Sequence, residues 1–301
     1  MNLTHLRYLK AAIEAGSLTH AARLLGVRQP TLSEAIQTLE RELHTTLLHR
    51  DPRGIRPTQA GQALHARARE IFASLEIATQ EIHELQGGEV GRFVVGCHES
   101  LGAYFLPRFL ATFLPQNERL EISLWNRNSE EVRLGVLERE VHFGLAVNPK
   151  PHPELVLVDL FGDAVQVCAS ADRLRDASQD DLARLLHEGP IIYAGRVEQC
   201  QQILAALTEQ GFRMERRLSC GDLELVKSLT LGGVGVGVLP RRVALYEQEG
   251  RLRRLPNTPS IPDRIALLYR ADLHRTRAAM RLKDALTAFG RSLDHGSEPT
   301  P

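Results

Sequence analysis

The chain has 301 residues, which is enough for two or three domains that each bury a hydrophobic core. Its 37 Lys and Arg residues balance 37 Asp and Glu residues, so the overall charge indicates no class of partner. The four cysteines are far apart and form no Cys-x-x-Cys pair, which argues against a metal knuckle or a disulfide framework. The chain opens with no signal-peptide pattern and contains no run of about 18 apolar residues, so we expect a cytoplasmic protein without a membrane span.

Positive charge is concentrated at the start of the chain. Residues 1–58 contain eight Lys or Arg and five Asp or Glu, a net charge of +3, so the remainder carries −3. A small basic segment on a larger acidic body indicates a nucleic-acid partner.

Two short helices are predicted before residue 26. Apolar residues recur at helical spacing in the first of them, at Leu6, Leu9 and Ile13. Gly16 ends that helix, and the second begins at Ser17 or Thr19 and continues to about residue 25.

A third helix follows the turn "GVR", in which Gly26 can adopt a left-handed conformation. Pro30 is tolerated near its start because the first helical turn has no internal partner for a backbone N–H. Leu32, Ile36 and Leu39 share one face of this helix. Two helices joined by a tight turn within about 18–37 indicate a helix-turn-helix, and a three-helix core without a partner is the alternative.

A basic hairpin is predicted after the third helix. Two short extended pieces around Pro52–Gly54 would form a wing that carries Arg50, Arg53 and Arg56. Arginines beside a recognition helix suit contacts to DNA phosphates.

Residues 6–61 closely resemble the winged helix-turn-helix of the LysR-type transcriptional regulators. The matching residues are Leu6, Arg7, Tyr8, Gly16, Ser17, Ala21, Ala22, Val27, Gln29, Pro30, Leu32, Ser33, Ile36, Leu39, Glu40, Leu47, Arg50, Thr58, Ala60 and Gly61. The resemblance implies that the third helix reads the major groove. The predicted DNA-binding residues are Arg28, Gln29, Pro30, Thr31, Ser33, Glu34, Arg50, Arg53 and Arg56.

Three residues depart from the family pattern. Arg28 stands where a serine is usual, so a helix cap worth about 1 kcal/mol is replaced by a guanidinium that can reach a phosphate or a guanine edge. Glu34 replaces a basic residue and could accept from a cytosine amino group. The alternative is that both are tolerated surface residues. His44 replaces a glycine, so a differently shaped turn into the wing is expected.

A long linker helix is predicted over 59–88, with Gly87-Gly88 as its stop. Its a/d positions form an apolar seam over three heptads: Leu64, Ala68, Ile71, Leu75, Ala78, Ile82 and Leu85. The seam either packs on the chain's own body or forms a dimer interface. We predict a homodimer, because two recognition helices would then read an inverted-repeat operator with half-sites one turn apart. The family resemblance further implies a homotetramer.

The remaining body, 89–293, alternates short apolar runs with helical patterns, which indicates a parallel α/β architecture. It resembles the periplasmic-binding-protein-like effector domain of the same regulators. One lobe is predicted over about 92–163 plus 267–293 and the other over about 164–266, with a tail at 294–301. The whole chain is thus predicted as an α/β protein with an all-α-dominated N-terminal head (1–58), a linker helix and a two-lobed effector domain.

A small-molecule effector is expected between the lobes, where strand ends and helix starts converge. The predicted contacts are His98, Glu99, Ser100, Asn128, Ser129, Asn148, Tyr193, Arg196 and Asp222. Helix N-termini near Ser100 and Ser129, together with Arg196, favour an anion, whereas Glu99 opposes one. Satisfied helix starts or hinge contacts are the alternative for each of these residues. His142 replaces a commonly acidic residue, which leaves the local hydrogen bonds open.

An enzyme is the main alternative class. The segment "GGVGVG" at 232–237 is superficially similar to a dinucleotide loop, but its glycine spacing differs, and glycines flanking a strand explain it better. No hydrolase, metalloprotease or paired-carboxylate motif occurs, so we predict no catalytic residue, no cofactor and no metal site. Oxidation of the Cys97 or Cys200 thiol is an alternative input signal.

The sequence therefore predicts a LysR-type DNA-binding regulator of transcription. Its expected partners are double-stranded operator DNA, a small effector and a second copy of the chain, with RNA polymerase as a further candidate.

Overall fold

The computed structural model describes residues 1–51, 54–85, 91–174, 179–246 and 250–293. These residues form two compact units that divide before the first strand of the α/β body.

The first unit contains four helices and one hairpin. Its elements are α1 (Leu3–Ala15), α2 (Leu18–Leu24), α3 (Gln29–Glu42), β1 (Leu48–Asp51), β2 (Gly54–Pro57) and α4 (Gln59–Leu85). Ser17 caps α2 by accepting from the backbone N–H of His20, and Gly16 ends α1 with a φ of 62°. Gly26 has a φ of 65° in the turn before α3. The predicted helix-turn-helix, its cap and its left-handed turn are confirmed.

The core of this unit lies where α1, α2 and α3 meet the hairpin. Its fully buried side chains include Leu9, Ala12, Ala21, Leu32, Ile36 and Leu39. The methyl group of Ala21 fits between helices that a larger side chain would separate. β1 pairs with β2 in antiparallel register, which forms the predicted wing.

The seam of α4 divides into two parts with different surroundings. Leu64 and Ile71 pack against the core of the first unit, and Ala68 is fully buried within it. Leu75 and Ile82 are 44% and 56% exposed, and Ala78 is also exposed. The assignment of Ala68 to a dimer interface is therefore wrong, because its own chain already covers it. The side chain of Leu85 and the predicted stop at Gly87-Gly88 lie outside the described residues.

The second unit contains the remaining helices and strands. Its first half comprises β3 (Gly91–His98), α5 (Glu99–Tyr104), α6 (Leu106–Phe113), β4 (Leu120–Arg127), α7 (Ser129–Leu137), β5 (Phe143–Val147) and β6 (Leu155–Ser170). Its second half comprises α8 (Gln179–Glu188), β7 (Ile191–Ala194), α9 (Glu198–Glu209), β8 (Arg217–Cys220), α10 (Leu223–Leu231), β9 (Val236–Pro240), α11 (Arg241–Leu245), β10 (Leu252–Arg254), β11 (Ser260–Arg270) and α12 (Arg277–Ser292).

Nine strands form one mixed sheet in the order β4-β3-β5-β11-β6-β9-β7-β8, and β10 pairs with β6. β3 runs parallel to β4 and β5, and β7 runs parallel to β8 and β9. The predicted parallel α/β arrangement is found within these two groups, but the whole sheet is mixed, because β6 and β11 run antiparallel to each other and join the groups. Alternation of strands and helices in the sequence does not reveal these two long connecting strands.

The predicted helix over "GAYFLPRFLATFLP" is divided into α5 and α6 at Phe105. Pro107 lies in the first turn of α6, where its missing N–H is tolerated, but a continuous helix would place its ring against an earlier carbonyl group. The break matters because it leaves α5 as a short separate helix.

Separate apolar cores lie on the two parts of this sheet. One packs α5, α6 and α12 around Phe105, Phe143 and Leu282, and the other packs α8, α9 and α10 around Leu185, Ile203 and Val238. These cores agree with two lobes, although the predicted lobe boundary at 163/164 falls inside the continuous strand β6.

The glycines of "GGVGVG" have a packing role. A Cβ on Gly235 would lie 2.0 Å from the carbonyl oxygen of Pro190, and one on Gly237 would lie 2.2 Å from Oγ1 of Thr230. These glycines therefore allow Pro190 and Thr230 to lie close to the backbone at and just before β9. This agrees with the prediction that the glycines flank a strand.

Candidate functional site

The exposed start of α3 carries the side chains predicted to read DNA. Arg28 occupies the N-cap position with extended backbone (φ −76°, ψ 139°) and makes no side-chain cap hydrogen bond. The side chains of Arg28, Gln29, Pro30, Thr31 and Glu34 are exposed. The sequence prediction that this helix forgoes a side-chain cap is confirmed.

A hydrogen bond between two side chains connects the wing to α3. Arg50 of β1 donates from Nη1 to Oγ of Ser33 at 3.1 Å. Arg56 lies exposed on β2, opposite His49. Arg53 lies outside the described residues. Ser33 thus positions a wing arginine, a role that sequence reasoning did not assign to it.

Glu40 is a positioning residue that sequence reasoning matched to the family without explaining. Its Oε1 accepts from the backbone N–H groups of Leu47 at 2.8 Å and Leu48 at 3.3 Å. The carboxylate therefore connects the end of α3 to the start of the wing. Where the chain passes from the helix to the hairpin, backbone N–H groups lack a partner within either element, and an acceptor such as this carboxylate satisfies them.

His44 lies between α3 and the wing with a φ of 50°. This left-handed conformation is the one that glycine adopts most easily. A histidine at this φ is uncommon, so the position is one that would favour the glycine it replaces.

In the second unit, one arginine connects residues that the sequence places far apart. Arg242, at the start of α11, donates from Nε at 3.1 Å and from Nη2 at 3.0 Å to Oγ of Ser100 on α5. Its Nη1 donates to Oδ2 of Asp163 at 2.6 Å and to Oδ2 of Asp263 at 3.3 Å. These three partners lie on α5, β6 and β11, so the guanidinium lies where the two lobes meet.

The two aspartates face each other across the paired strands β6 and β11. Their side chains are 4% and 2% exposed, and that of Arg242 is 9% exposed. Asn148 and Gln199 each donate to Oδ1 of Asp263 at 2.9 Å. Burial raises the pKa of Asp263, the nearby Arg242 lowers it, and the charge of Asp163 raises it again.

The protonation of His98 follows from its hydrogen bonds. Nδ1 of His98 lies 2.9 Å from Oγ of Ser100 and also accepts from the Ser100 backbone N–H. Because that Oγ already accepts twice from Arg242, its own proton must be donated to Nδ1. Burial, together with the charge of Arg242, lowers the pKa of His98 to about 4. We therefore assign neutral His98 with its proton on Nε2.

The predicted effector contacts divide into three groups. His98, Ser100 and Asn148 belong to the Arg242 network. A second group has hydrogen-bond partners outside that network. Ser129 accepts from the N–H of Val147 at 2.9 Å. Asn128 accepts from the N–H of Glu131, and Asp222 accepts from the N–H of Leu225. Tyr193 packs against the core of the second lobe, and Glu99 and Arg196 are exposed.

His142 forms two hydrogen bonds with the backbone of Val94 on β3. Its ring Nδ1 accepts from the backbone N–H of Val94 at 3.0 Å, and the backbone N–H of His142 donates to the carbonyl oxygen of Val94. Burial lowers the pKa of His142, which favours the neutral ring that this acceptor role requires.

All four cysteines are buried and none is in a disulfide. Burial raises the pKa of Cys97 and of Cys200 to about 11. A thiol that stays protonated and covered is a poor nucleophile, so these positions give no support to thiol oxidation as the input signal.

No helix in the described part of the chain is long and apolar enough to cross a membrane. No cluster of three or more histidine, cysteine or acidic side chains with the arrangement of a metal site occurs in those residues. A surface depression of about 440 Å³ lies at the end of α3, between Gln37 and Thr46.

Both units match known protein families. The family model described as "LysR substrate binding domain" matches residues 86–291, and "Bacterial regulatory helix-turn-helix protein, lysR family" matches residues 3–62. The chain is 26% identical over 254 residues to the HTH-type transcriptional regulator GltR of Bacillus subtilis, which covers 84% of each chain.

Two solved structures have the same fold. A full-length OxyR variant from Pseudomonas aeruginosa has a TM-score of 0.68 at 21% identity, and the match covers 100% of this chain and 99% of that one. Full-length CbnR in complex with its target DNA has a TM-score of 0.64 at 22% identity, with 96% and 100% covered. The relatives are transcriptional regulators and not enzymes, as the sequence predicts. The chain belongs to the LysR family of bacterial DNA-binding transcriptional regulators.

Proposed function

We propose that a small-molecule effector binds between the lobes of the second unit and modulates operator binding or promoter activation. The observation that carries this proposal is the polar network in which Arg242 of one lobe contacts Ser100 of the other. Polar side chains that converge between two lobes are the usual means of orienting a small ligand.

The charge of the effector does not follow from helix dipoles. α5 is only six residues long, so its start near Ser100 carries little of a helix dipole, and Ser129 already accepts from Val147. Arg196, which the sequence offered as a positive charge, is exposed. Arg242 is the cation at Ser100 instead.

The proposed DNA partner is a double-stranded inverted-repeat operator. Arg28, Gln29, Thr31 and Glu34 at the start of α3 would face base edges, while the wing arginines would contact phosphates. We place this activity in the cytoplasm, with RNA polymerase as a candidate further partner.

Changing Arg56 to alanine is expected to weaken operator and unrelated DNA to a similar extent. One lost phosphate contact should lower the slope of log affinity against log salt by about 0.9. Fluorescence anisotropy of both DNAs from low to high salt measures this slope.

The matched control is Arg92→Ala, because Arg92 is also exposed but lies in the other unit, in an ion pair with Glu121. An Arg56 variant whose affinity and salt slope equal those of the Arg92 variant would remove the wing from the proposed DNA contact.

The exposed part of the α4 seam is proposed to form the homodimer, from which a tetramer is assembled. Replacing Leu75 and Ile82 by glutamate places two charges at positions that are exposed in one chain but would be dry in a dimer. Burying each charge unpaired costs several kcal/mol, so the double variant should be smaller in solution and lose operator affinity. Sedimentation velocity measures the size.

Ala63→Glu with Ala66→Glu is the matched control, since it adds the same charge to exposed positions of α4 on the side of the helix away from the seam. A seam variant that sediments as the wild type does would contradict the proposed dimer.

A further inference from the structure

Two helices from opposite lobes face each other with polar and aromatic residues at matching spacing. Ser100 and Tyr104 lie four residues apart on α5, and Arg242 and Tyr246 lie four residues apart on and just after α11. Arg242 contacts Ser100, and the rings of Tyr104 and Tyr246 meet edge to face at 5.1 Å. This α5–α11 contact therefore has one polar and one aromatic pair.

The aromatic pair is reinforced from the second lobe. Nζ of Lys227 lies 4.9 Å from the centre of the Tyr104 ring and 5.7 Å from that of Tyr246. The hydroxyl of Tyr104 donates to Glu224. These contacts hold α5 against the second lobe, so that the Arg242 guanidinium and Ser100 keep a defined separation.

The two edges of the Arg242 guanidinium have different partners. Nη1 donates to both Asp163 and Asp263, and the backbone N–H of Arg242 also donates to Asp163 at 3.3 Å. The Nε–Nη2 edge contacts one neutral oxygen, Oγ of Ser100, which both donors share. This edge has the geometry that binds a carboxylate through two parallel hydrogen bonds.

An oxyanion suits this edge better than the serine hydroxyl does. It would offer a separate charged oxygen to each donor, whereas Oγ of Ser100 is a single neutral acceptor that the two donors share. A cation at this edge would face the guanidinium, because both carboxylates contact the Nη1 side. It would also find Oδ1 of Asp263 already occupied by Asn148 and Gln199.

We propose that Arg242 recognises the effector, and that an oxyanion of the effector replaces the Ser100 hydroxyl on the Nε–Nη2 edge. Asp163 and Asp263 are positioning residues that orient the guanidinium from the opposite side. The inference rests on the proposed effector-binding function and specifies its ligand class, a carboxylate or phosphate group. Release of Ser100 from Arg242 would weaken the polar pair of the α5–α11 contact and so connect binding to the arrangement of the lobes.

Calorimetry on the full-length chain at constant ionic strength tests the ligand class. The oxyanion probes are succinate, benzoate and inorganic phosphate. Succinamide and benzamide are their neutral counterparts, and putrescine and benzylamine are the cationic ones. We expect at least one oxyanion to bind more tightly than every neutral and cationic probe. Tighter binding of an amide or amine, or no binding by any oxyanion, would overturn the proposal.

Variants test the residue. Arg242→Gln should weaken the oxyanion at least about tenfold, because it removes charge-assisted hydrogen bonds. Arg254→Gln removes an exposed arginine from the same lobe and should bind as the wild type does. Ser100→Ala removes the competing hydroxyl while leaving Arg242, so it should bind the oxyanion about two- to fivefold more tightly.

If Arg242→Gln does not fold, the Ser100→Ala variant decides, and unchanged or weaker oxyanion binding by it would refute the exchange. The same preparations are assayed for selective DNA binding. If the wild type binds operator DNA selectively but binds no oxyanion, only this inference is contradicted. If the wild type does not bind DNA selectively, the proposed regulator function is contradicted.

Discussion

Replacing Arg242 by leucine is expected to lower the free energy of unfolding of the second unit by about 3–5 kcal/mol. The change leaves Asp163 and Asp263 buried, facing each other across β6 and β11, without their shared cation. Two uncompensated carboxylates in a low-dielectric environment repel each other and cannot be solvated. Urea unfolding at neutral pH, followed by circular dichroism, measures the change.

The pH dependence of this loss has a definite sign. In the wild type, burial holds the pKa of Asp263 above its ordinary value, so its ionisation already costs stability as pH rises through the folded-state pKa. Removing Arg242 deletes the attraction that lowers this pKa, so the pKa rises further. The difference between variant and wild type should therefore be largest near neutral pH and shrink as the medium becomes acidic.

Two companion variants distinguish charge from packing. Arg242→Leu combined with Asp163→Asn and Asp263→Asn should recover part of the lost stability, because no buried charge remains. Arg254→Leu, at an exposed position, should stay within about 0.5 kcal/mol of the wild type. An Arg242→Leu protein that unfolds at the same urea concentration as the wild type would show that the carboxylates are not buried as described.

Changing Gly61 to alanine is expected to destabilise the first unit by about 1–3 kcal/mol and to lower operator affinity. A Cβ at this position would lie 2.0 Å from the carbonyl oxygen of Leu47 and 3.3 Å from Cβ of Pro57. The same oxygen accepts from the backbone N–H and the hydroxyl of Thr58. The start of α4 must therefore move away from the wing. Thermal unfolding and anisotropy measure the two effects.

Gly162→Ala is the control for this change, because a Cβ at Gly162 would meet nothing within 4 Å. If both alanine variants melt at the same temperature and bind operator equally well, the close approach of α4 to Leu47 does not constrain the wing.

Local features of the first unit could be predicted from the sequence alone. The cap at Ser17, the left-handed glycines Gly16 and Gly26 and the proline at the start of α3 each act through backbone groups a few residues away. Neighbours along the chain determine such features, and apolar spacing determines which helical face is buried. The sequence therefore identified the helix-turn-helix and its exposed reading surface.

The two outcomes along α4 show where this kind of reasoning fails. Heptad spacing identifies one apolar seam, but Ala68 is buried in its own chain while Leu75 and Ile82 remain exposed. The spacing of side chains along a helix does not indicate which neighbour covers each turn. That depends on where the first unit's core ends.

The effector region depended most on tertiary structure. The sequence singled out His98, Ser100 and Asn148 because they follow strand ends, and Arg242 also follows one, at the end of β9. Arg242 was nevertheless missed, since its partner Ser100 is 142 residues away in sequence. Asp163 and Asp263 lie inside strands and face each other only because β6 and β11 pair in one particular register. Sequence periodicity specifies which side chains are buried, whereas the register of distant strands decides which buried charges meet.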